Sequence, residues 1–386
     1  MVRQATLLEA DLFEAFDGLE DPRSRVCPHP LIEILFVALC ATLSGAESFS
    51  GMAQWGQCKL DWLRQFLPYE HGVASHDTID RVFARLDPVQ FEACFINWMR
   101  RLCPTLVGLG KGEHIAVGGK DARHGYGAEG VNPHLVSAWC SRLGLCLGQV
   151  KAVVKSNEIT AIPALLAQLD VRGAVVTIDA IGCQHAIAKQ IVEAGADYVL
   201  AVKDNQPTLA EAVRRLFAGM DQLARPFWAW SEVDKGHGRV ETRRCVVTND
   251  VDWLHEQGQD WQRLTSLAMV EATREFVNGQ RRGEAMVERR YYISSLPANA
   301  ERLAGLIRSH WDIENRLHWV LDVTFGEDDS RVRIGNAPQN FALLRRMALN
   351  LLRRDRSCRD GPTKKRRQAM WQTDYLKTVL GLVTSQ

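Results

Sequence analysis

The sequence predicts an α/β protein: a mixed sheet with flanking helices, plus an N-terminal all-α domain and a β-rich insertion. Three observations predict it. Residues 174–180, Ala-Val-Val-Thr-Ile-Asp-Ala, form a short β-branched run that ends in a carboxylate. Val, Ile and Thr suit a pleated surface covered on both faces, so the run reads as a buried central strand. From residue 114 to residue 207, three leading strand patterns give way to alternating helix and strand, the mark of a mixed α/β sheet. Residues up to about 105 carry helical periodicity alone.

The elements follow in order. Pro30 is placed to open a helix over residues 31–43. A second helix covers residues 52–66. Ser75, His76 and Asp77 supply cap residues for residues 78–86, where Ile79, Val82, Phe83 and Leu86 share one face. Pro88 opens another helix, through residue 101. Helix 78–86, with Arg81 and Arg85 outward, is either a DNA-reading helix or part of a plain bundle. Strands are predicted at 115–117, 135–140 and 145–154, then a helix at 159–169 and the strand that ends at Asp179. A helix at 184–193 and a strand at 198–203 complete this part. Residues 208–297 read as a β-rich insertion, with strands at 240–248, 267–271 and 286–294 and a turn at Asn278-Gly279. Residues 302–321 and 338–353 read as helices. Four divisions result: 1–108, 109–207, 208–297 and 298–386.

Composition narrows the class. The chain has 386 residues, 46% hydrophobic and 24% charged, as in ordinary globular proteins. Its ten cysteines show no C-x-x-C pair, which argues against a disulfide framework or a structural zinc site. The longest apolar run, residues 31–43, contains Glu33 and is too short to span a bilayer. A cytoplasmic protein without a membrane partner is expected. Formal net charge is +1, but residues 345–367 hold ten Lys or Arg against Asp355 and Asp360. That segment, with Arg353, Arg354, Lys364, Lys365, Arg366 and Arg367, is a candidate polyanion contact.

The chemistry-bearing residues cluster in two places. Asp179 sits where open α/β sheets place their active crevice, and it either serves that site or caps the helix near Cys183. Residues 309–319, Ser-His-Trp-Asp-Ile-Glu-Asn-Arg-Leu-His-Trp, place His310, Glu314 and His318 four apart, on one helical face. That face is a polar stripe, an acidic site shared with Asp179, or a zinc site of unusual spacing.

Several ordered motifs carry a resemblance. They are Lys155-Ser-Asn-Glu-Ile-Thr-Ala-Ile-Pro163, Thr177-Ile-Asp-Ala180, Asp204-Asn-Gln206, Lys235-Gly-His-Gly-Arg-Val-Glu-Thr-Arg243 and His310-Trp-Asp-Ile-Glu-Asn315. Together with Ser75-His-Asp-Thr78, they closely resemble the H-repeat-associated insertion-sequence transposases, a DDE family with an RNase H-like catalytic core. The resemblance implies DNA cleavage and strand transfer on double-stranded element ends and target. Two Mg²⁺ (or Mn²⁺) ions would lie about 3.5–4 Å apart between three carboxylates. It assigns Asp179 and Glu314 as the second and third acids and metal ligands, with His310 beside them. It also implies a homodimer on DNA, association with the bacterial nucleoid, and no small-molecule substrate. Lys120, Lys203, His237, Arg239 and Arg243 become DNA-contact candidates.

The first acid departs from the pattern. The family carries an apolar run and then Asp-Gly-Lys, whereas this chain reads Ile115-Ala-Val-Gly-Gly-Lys120-Asp121. Gly118 has no side chain to ligate a metal. Asp121 lies three residues on, on the opposite face of an extended strand, unless the glycines turn the chain back. The sequence thus leaves two functions open: a working transposase, or a catalytically inactive descendant that keeps DNA binding and serves as a regulatory protein.

Overall fold

The computed structural model describes residues 13–25, 27–102, 112–121, 134–152, 158–220, 226–236, 239–256, 258, 260–277 and 283–382. The architecture is mixed α/β. The chain divides into two compact units. Unit one comprises Met1–Val107, Gly119–Asn157 and Glu314–Gln386; unit two comprises Gly108–Gly118 and Glu158–Ile313.

Helices α1 (Leu31–Leu43), α2 (Phe49–Cys58), α3 (Leu60–Leu63), α4 (His76–Arg85) and α5 (Pro88–Leu102) come first. Strands β1 (His114–Asp121), β2 (His134–Cys140) and β3 (Leu145–Ala152) follow. Then come α6 (Glu158–Gln168), β4 (Val175–Ile178), α7 (His185–Glu193), β5 (Asp197–Val202) and α8 (Pro207–Ala218). The next part holds β6 (Trp228–Gly236), β7 (Arg239–Thr248), α9 (Asp252–Glu256), β8 (Ser266–Phe276) and β9 (Ala285–Ser294). Helix α10 (Ala300–His310) is followed by a π-helical turn, Ile313–His318, and by α11 (Trp319–Phe325). Helices α12 (Ala337–Arg354), α13 (Pro362–Trp371) and α14 (Thr373–Leu380) come last among the described residues. The predicted single helix over 302–321 is therefore three segments. The Asn278-Gly279 turn lies outside the described residues.

Unit one is built on α12. Its residues are strong helix formers, with a proline in the first turn where no N–H is needed. The helix is buried on nearly every side, so each of its polar groups needs a partner. Asn340 donates to the carbonyls of Phe83 and Leu86 at 2.8 and 2.9 Å, satisfying the end of α4. Asn350 accepts from the Cys146 N–H at 2.9 Å and donates to the Cys146 carbonyl at 2.8 Å. It does so where the β2–β3 pairing slips between Ala138 and Trp139, and so replaces part of a broken ladder. Arg346, fully buried, donates to Glu327 at 2.9 Å, to the Ala342 carbonyl at 3.0 Å and to the Ser137 hydroxyl at 3.3 Å. Arg345 lies over the Phe341 ring, 3.7 Å from its centroid.

Unit two carries the strand order β1-β4-β5-β9-β8-β7-β6. β1, β4 and β5 are parallel, and β9, β8, β7 and β6 continue antiparallel. The strands read from sequence as an insertion thus extend the same sheet through the β5–β9 pairing. α10 covers one face, where Leu303, Leu306 and Ile307 pack with Val175, Val199, Cys245, Val247, Ala268 and Tyr292. Among the described residues no helix is long and apolar enough to cross a membrane, and the cysteines are free.

The Glu327–Arg346 pair generates a stability prediction. Burial works to raise the Glu327 pKa, but Arg346, Arg345 and Lys120 outweigh it and hold the carboxyl below its usual range. A depressed carboxylate stabilises the fold above its unfolded pKa, about 4.3, and that contribution is lost as pH falls through the folded value. Glu327→Ala strands a buried guanidinium and is expected to cost about 3–5 kcal/mol in denaturant unfolding. Glu327→Gln is expected to flatten the loss of stability below about pH 4.3. An unchanged unfolding midpoint for Glu327→Ala contradicts this.

Candidate active site

The site is set by a register. β1 pairs with β4 in parallel from His114↔Val175 to Val117↔Ile178. The next positions are Gly118 and Asp179, which follow directly where the β1–β4 pairing ends. Asp179 leads into a short 3-10 turn, Ala180–Gly182, whose Ile181 and Gly182 amides face its carboxylate, while the helix beyond starts from Gln184 and is not capped by Asp179. The carboxylate is open to solvent yet hemmed in by protein. Desolvation and then the charge of buried Glu158 raise its pKa, against the Ile181 and Gly182 amides and Lys203.

Gly118 leaves room for a side chain. A Cβ built there would meet the Cδ1 and Cγ2 of Ile313 at 3.5 Å, an ordinary van der Waals contact. β1 runs on through Gly118 and Gly119 to Asp121 without a turn. Asp121 therefore projects to the other face of the strand, where it meets His134 Nδ1 at 2.5 Å. It does not stand in for the missing acid.

His310 is held by a partly buried chain of hydrogen bonds that the sequence reading missed. His114 Nε2 lies 2.8 Å from the Thr177 hydroxyl, which lies 2.9 Å from His310 Nδ1. One hydroxyl proton serves two contacts, so Thr177 donates to one ring and accepts from the other. Burial, and next the charge of His310, push His114 down to about 3, so it is neutral at pH 7. The available signal was parity, because Thr177 sits two residues before Asp179 on one strand.

Asp179 and His310 belong to unit two, Glu314 to unit one. Glu314 is exposed on the π-helical turn, its Oε1 3.2 Å from Nδ1 of buried His318. α10 ends at His310 and the turn is π-helical, so the four-residue spacing does not repeat along one α-helical face. Paired Mg²⁺ requires several hard oxygen ligands. Position 118 supplies none from a side chain, and among the described residues no three His, Cys, Asp or Glu side chains gather into a metal-sized cluster. With Gly118 in place, only two of the three acids that the resemblance implies, Asp179 and Glu314, are present to hold the ions.

The expected DNA contacts divide sharply. Lys120 is corrected: its side chain is 10% exposed, and its ammonium bridges Asp322 at 2.7 Å and Asp328 at 2.6 Å. Lys365 and Arg366 are corrected as well, because both are buried. Lys365 donates to the Leu352 and Asp355 carbonyls, and Arg366 donates to those of Thr42, Ala46 and Thr324 beside Glu47. A basic run on a packed helix turns half its charges inward. Arg243 pairs with Glu241 at 2.9 Å and with Glu232 at 3.4 Å, and Arg239 reaches Glu241 at 3.7 Å. These charges form a cross-strand ion ladder that Arg274 and Glu288 extend. Arg353 stacks on Trp139, 4.9 Å from its centroid, and donates to the Arg316 carbonyl. Arg354 is half-buried, while Lys203, Lys364 and Arg367 are exposed. His237 lies outside the described residues.

Comparisons with known proteins agree with the motifs. A family model described as "DDE_Tnp_1-associated" matches residues 13–99, and one described as "Transposase DDE domain" matches residues 101–351. The chain is 39% identical over 355 residues to "H repeat-associated putative transposase YhhI" of Escherichia coli (strain K12), covering 91% of this chain and 92% of that relative. It is 39% identical over 354 residues to "Putative transposase YncI" of Escherichia coli O157:H7, covering 91% and 89%. A solved piggyBac transposase synaptic complex with hairpin DNA overlaps 97% of this chain and 77% of its own, at a TM-score of 0.40 and 11% identity. With one family model over most of its length and relatives at 39% identity over nine-tenths of it, the chain belongs to the transposase DDE-domain family, beside the H repeat-associated transposases.

Proposed function

We propose that this chain is an insertion-sequence transposase that engages element-end DNA and whose strand cleavage and transfer are crippled at one position, Gly118. The observation that carries this reading is the β1–β4 register, which puts a glycine beside Asp179 where the family resemblance expects an acid. Family membership supports the reaction class. Asp179 and Glu314 serve as the two remaining acids. His310, oriented through Thr177, is a positioning residue for them or for a phosphate. The native partner is double-stranded DNA, and a homodimer accounts for bringing two ends together. A chain retained for DNA binding or regulation alone is the second reading, and the same glycine favours it.

Gly118→Asp tests the proposal. It is expected to fold as the parent does, since its Cβ meets only ordinary contacts. Gly118→Asp is expected to raise Mn²⁺- or Mg²⁺-dependent nicking of DNA carrying the sequences that flank the gene. The gain expected is about a hundredfold, equivalent to about 2.7 kcal/mol of barrier. Gly118→Ala is expected to leave nicking unchanged, and Asp179→Asn to abolish the gain. Robust nicking by the parent chain, lost in Asp179→Asn, would overturn the claim that Gly118 cripples the site.

DNA affinity is expected to fall steeply with salt, with a log–log slope of about −0.9 per phosphate contacted. Fluorescence anisotropy across a salt series reads that slope, and a flat response contradicts binding through Lys and Arg.

A further inference from the structure

Helix α13 has an unusual distribution of charge. Its inward face carries Lys365, Arg366 and Ala369, with both cations held by the backbone carbonyls of unit one. Its outward face carries Lys364, Arg367 and Trp371, spaced three and four apart and therefore in one row. Lys364 and Arg367 are exposed, and Trp371 is 73% exposed. Residues 356–371 hold six basic side chains against one acidic one, Asp360. Exposed Arg356 and Arg359 precede the helix. Asp360 meets Lys364 at 3.1 Å, but such an exposed pair is too weak to withhold the lysine from a phosphate.

Trp371 thus leaves most of a large aromatic surface in water at the end of a basic row. Of the partners that could cover it, a polyanion with exposed aromatic faces matches both features at once. We propose that the outward face of α13 is a DNA-end contact, in which Lys364 and Arg367 neutralise backbone phosphates and Trp371 stacks on an unpaired base. The chemistry is that of single-strand binding sites, where cations track the backbone and an aromatic ring receives a base. This inference rests on the DNA-binding reading above and adds the surface and the type of DNA that it takes. It also separates two roles within the basic segment: Lys365 and Arg366 build the helix's seat, while Lys364 and Arg367 face outward.

The experiment uses the full chain and two fluorescein-labelled probes, a random-sequence duplex with a short 3′ overhang and the same duplex blunt-ended. The parent chain is expected to bind the overhang probe more tightly. Trp371→Ala is expected to weaken overhang binding about tenfold and to erase the preference, with the salt slope unchanged. Trp371→Phe is expected to retain most of that affinity. Arg367→Gln is expected to weaken both probes alike and to lower the salt slope by about one. A Trp371→Ala protein that binds both probes as the parent does overturns the α13 assignment and leaves DNA binding itself standing. A parent chain that binds neither probe overturns both. Sedimentation velocity covers the rival occupant: self-association lost in Trp371→Ala, with DNA affinity intact, assigns this face to a second copy and overturns the proposal.

Discussion

The parallel pairing of β1 with β4 is the constraint on which the rest of the candidate site depends. Its register of four pairs, three of them between apolar or β-branched residues, decides what stands beside Asp179. A slip of one residue would turn every side chain of β1 to the opposite face. With His114 opposite Val175, Gly118 stands beside Asp179, and His114 lies within reach of Thr177. One pairing thus sets both which residue stands beside Asp179 and the hydrogen-bond chain that holds His310. The hydroxyl of Thr177 orients the His310 ring.

Unit one answers a different physical demand. α12 is buried almost all round and still carries Asn340, Arg345, Arg346 and Asn350. Burying such groups is made tolerable by the carbonyls, the Glu327 carboxylate and the Phe341 face that they meet, although Asn340 Oδ1, Arg345 Nε and Nη2 and Arg346 Nη2 have no hydrogen-bond partner among the described residues. Lys120, Glu327, Asp322 and Asp328 belong to the same economy of charge, which explains why a lysine at a strand end is not available to DNA. In unit two the ladder around Glu241, which is buried, uses Arg243 and Arg274 in the same manner. Several basic residues of this protein are held by internal neutralisation, while Lys364 and Arg367 form a short exposed row on α13.

Much of this was legible in the sequence, for reasons that particular elements make clear. Residues 31–43 and 338–353 announced helices, because their apolar periodicity and flanking prolines agree. The Val-Val-Thr-Ile run announced β4, because β-branched residues had no better use. β6 was not read as a strand: Trp-Ala-Trp-Ser-Glu-Val-Asp-Lys-Gly alternates, but its polar partners lie on neighbouring strands and its row is at the end of the strand order. The helix over 302–321 was read as continuous because no proline or glycine marks a π-helical turn. Charge runs misled most. A one-dimensional count assigned Lys365 and Arg366 to DNA, and a place at a strand end assigned Lys120; only burial revealed their backbone and carboxylate partners. The same count overlooked Trp371, which carries no charge.

The central claim is that position 118 alone separates this site from one that can hold divalent ions. Direct measurement of Mn²⁺ uptake, by electron paramagnetic resonance of the free ion, tests it without relying on catalysis. The account predicts weak uptake by the parent chain and uptake at least about tenfold tighter by Gly118→Asp, equivalent to about 1.4 kcal/mol, with the gain lost when Asp179→Asn is added. Equal, tight binding of two ions by the parent and by Gly118→Asp, removed in both by Asp179→Asn, would contradict it.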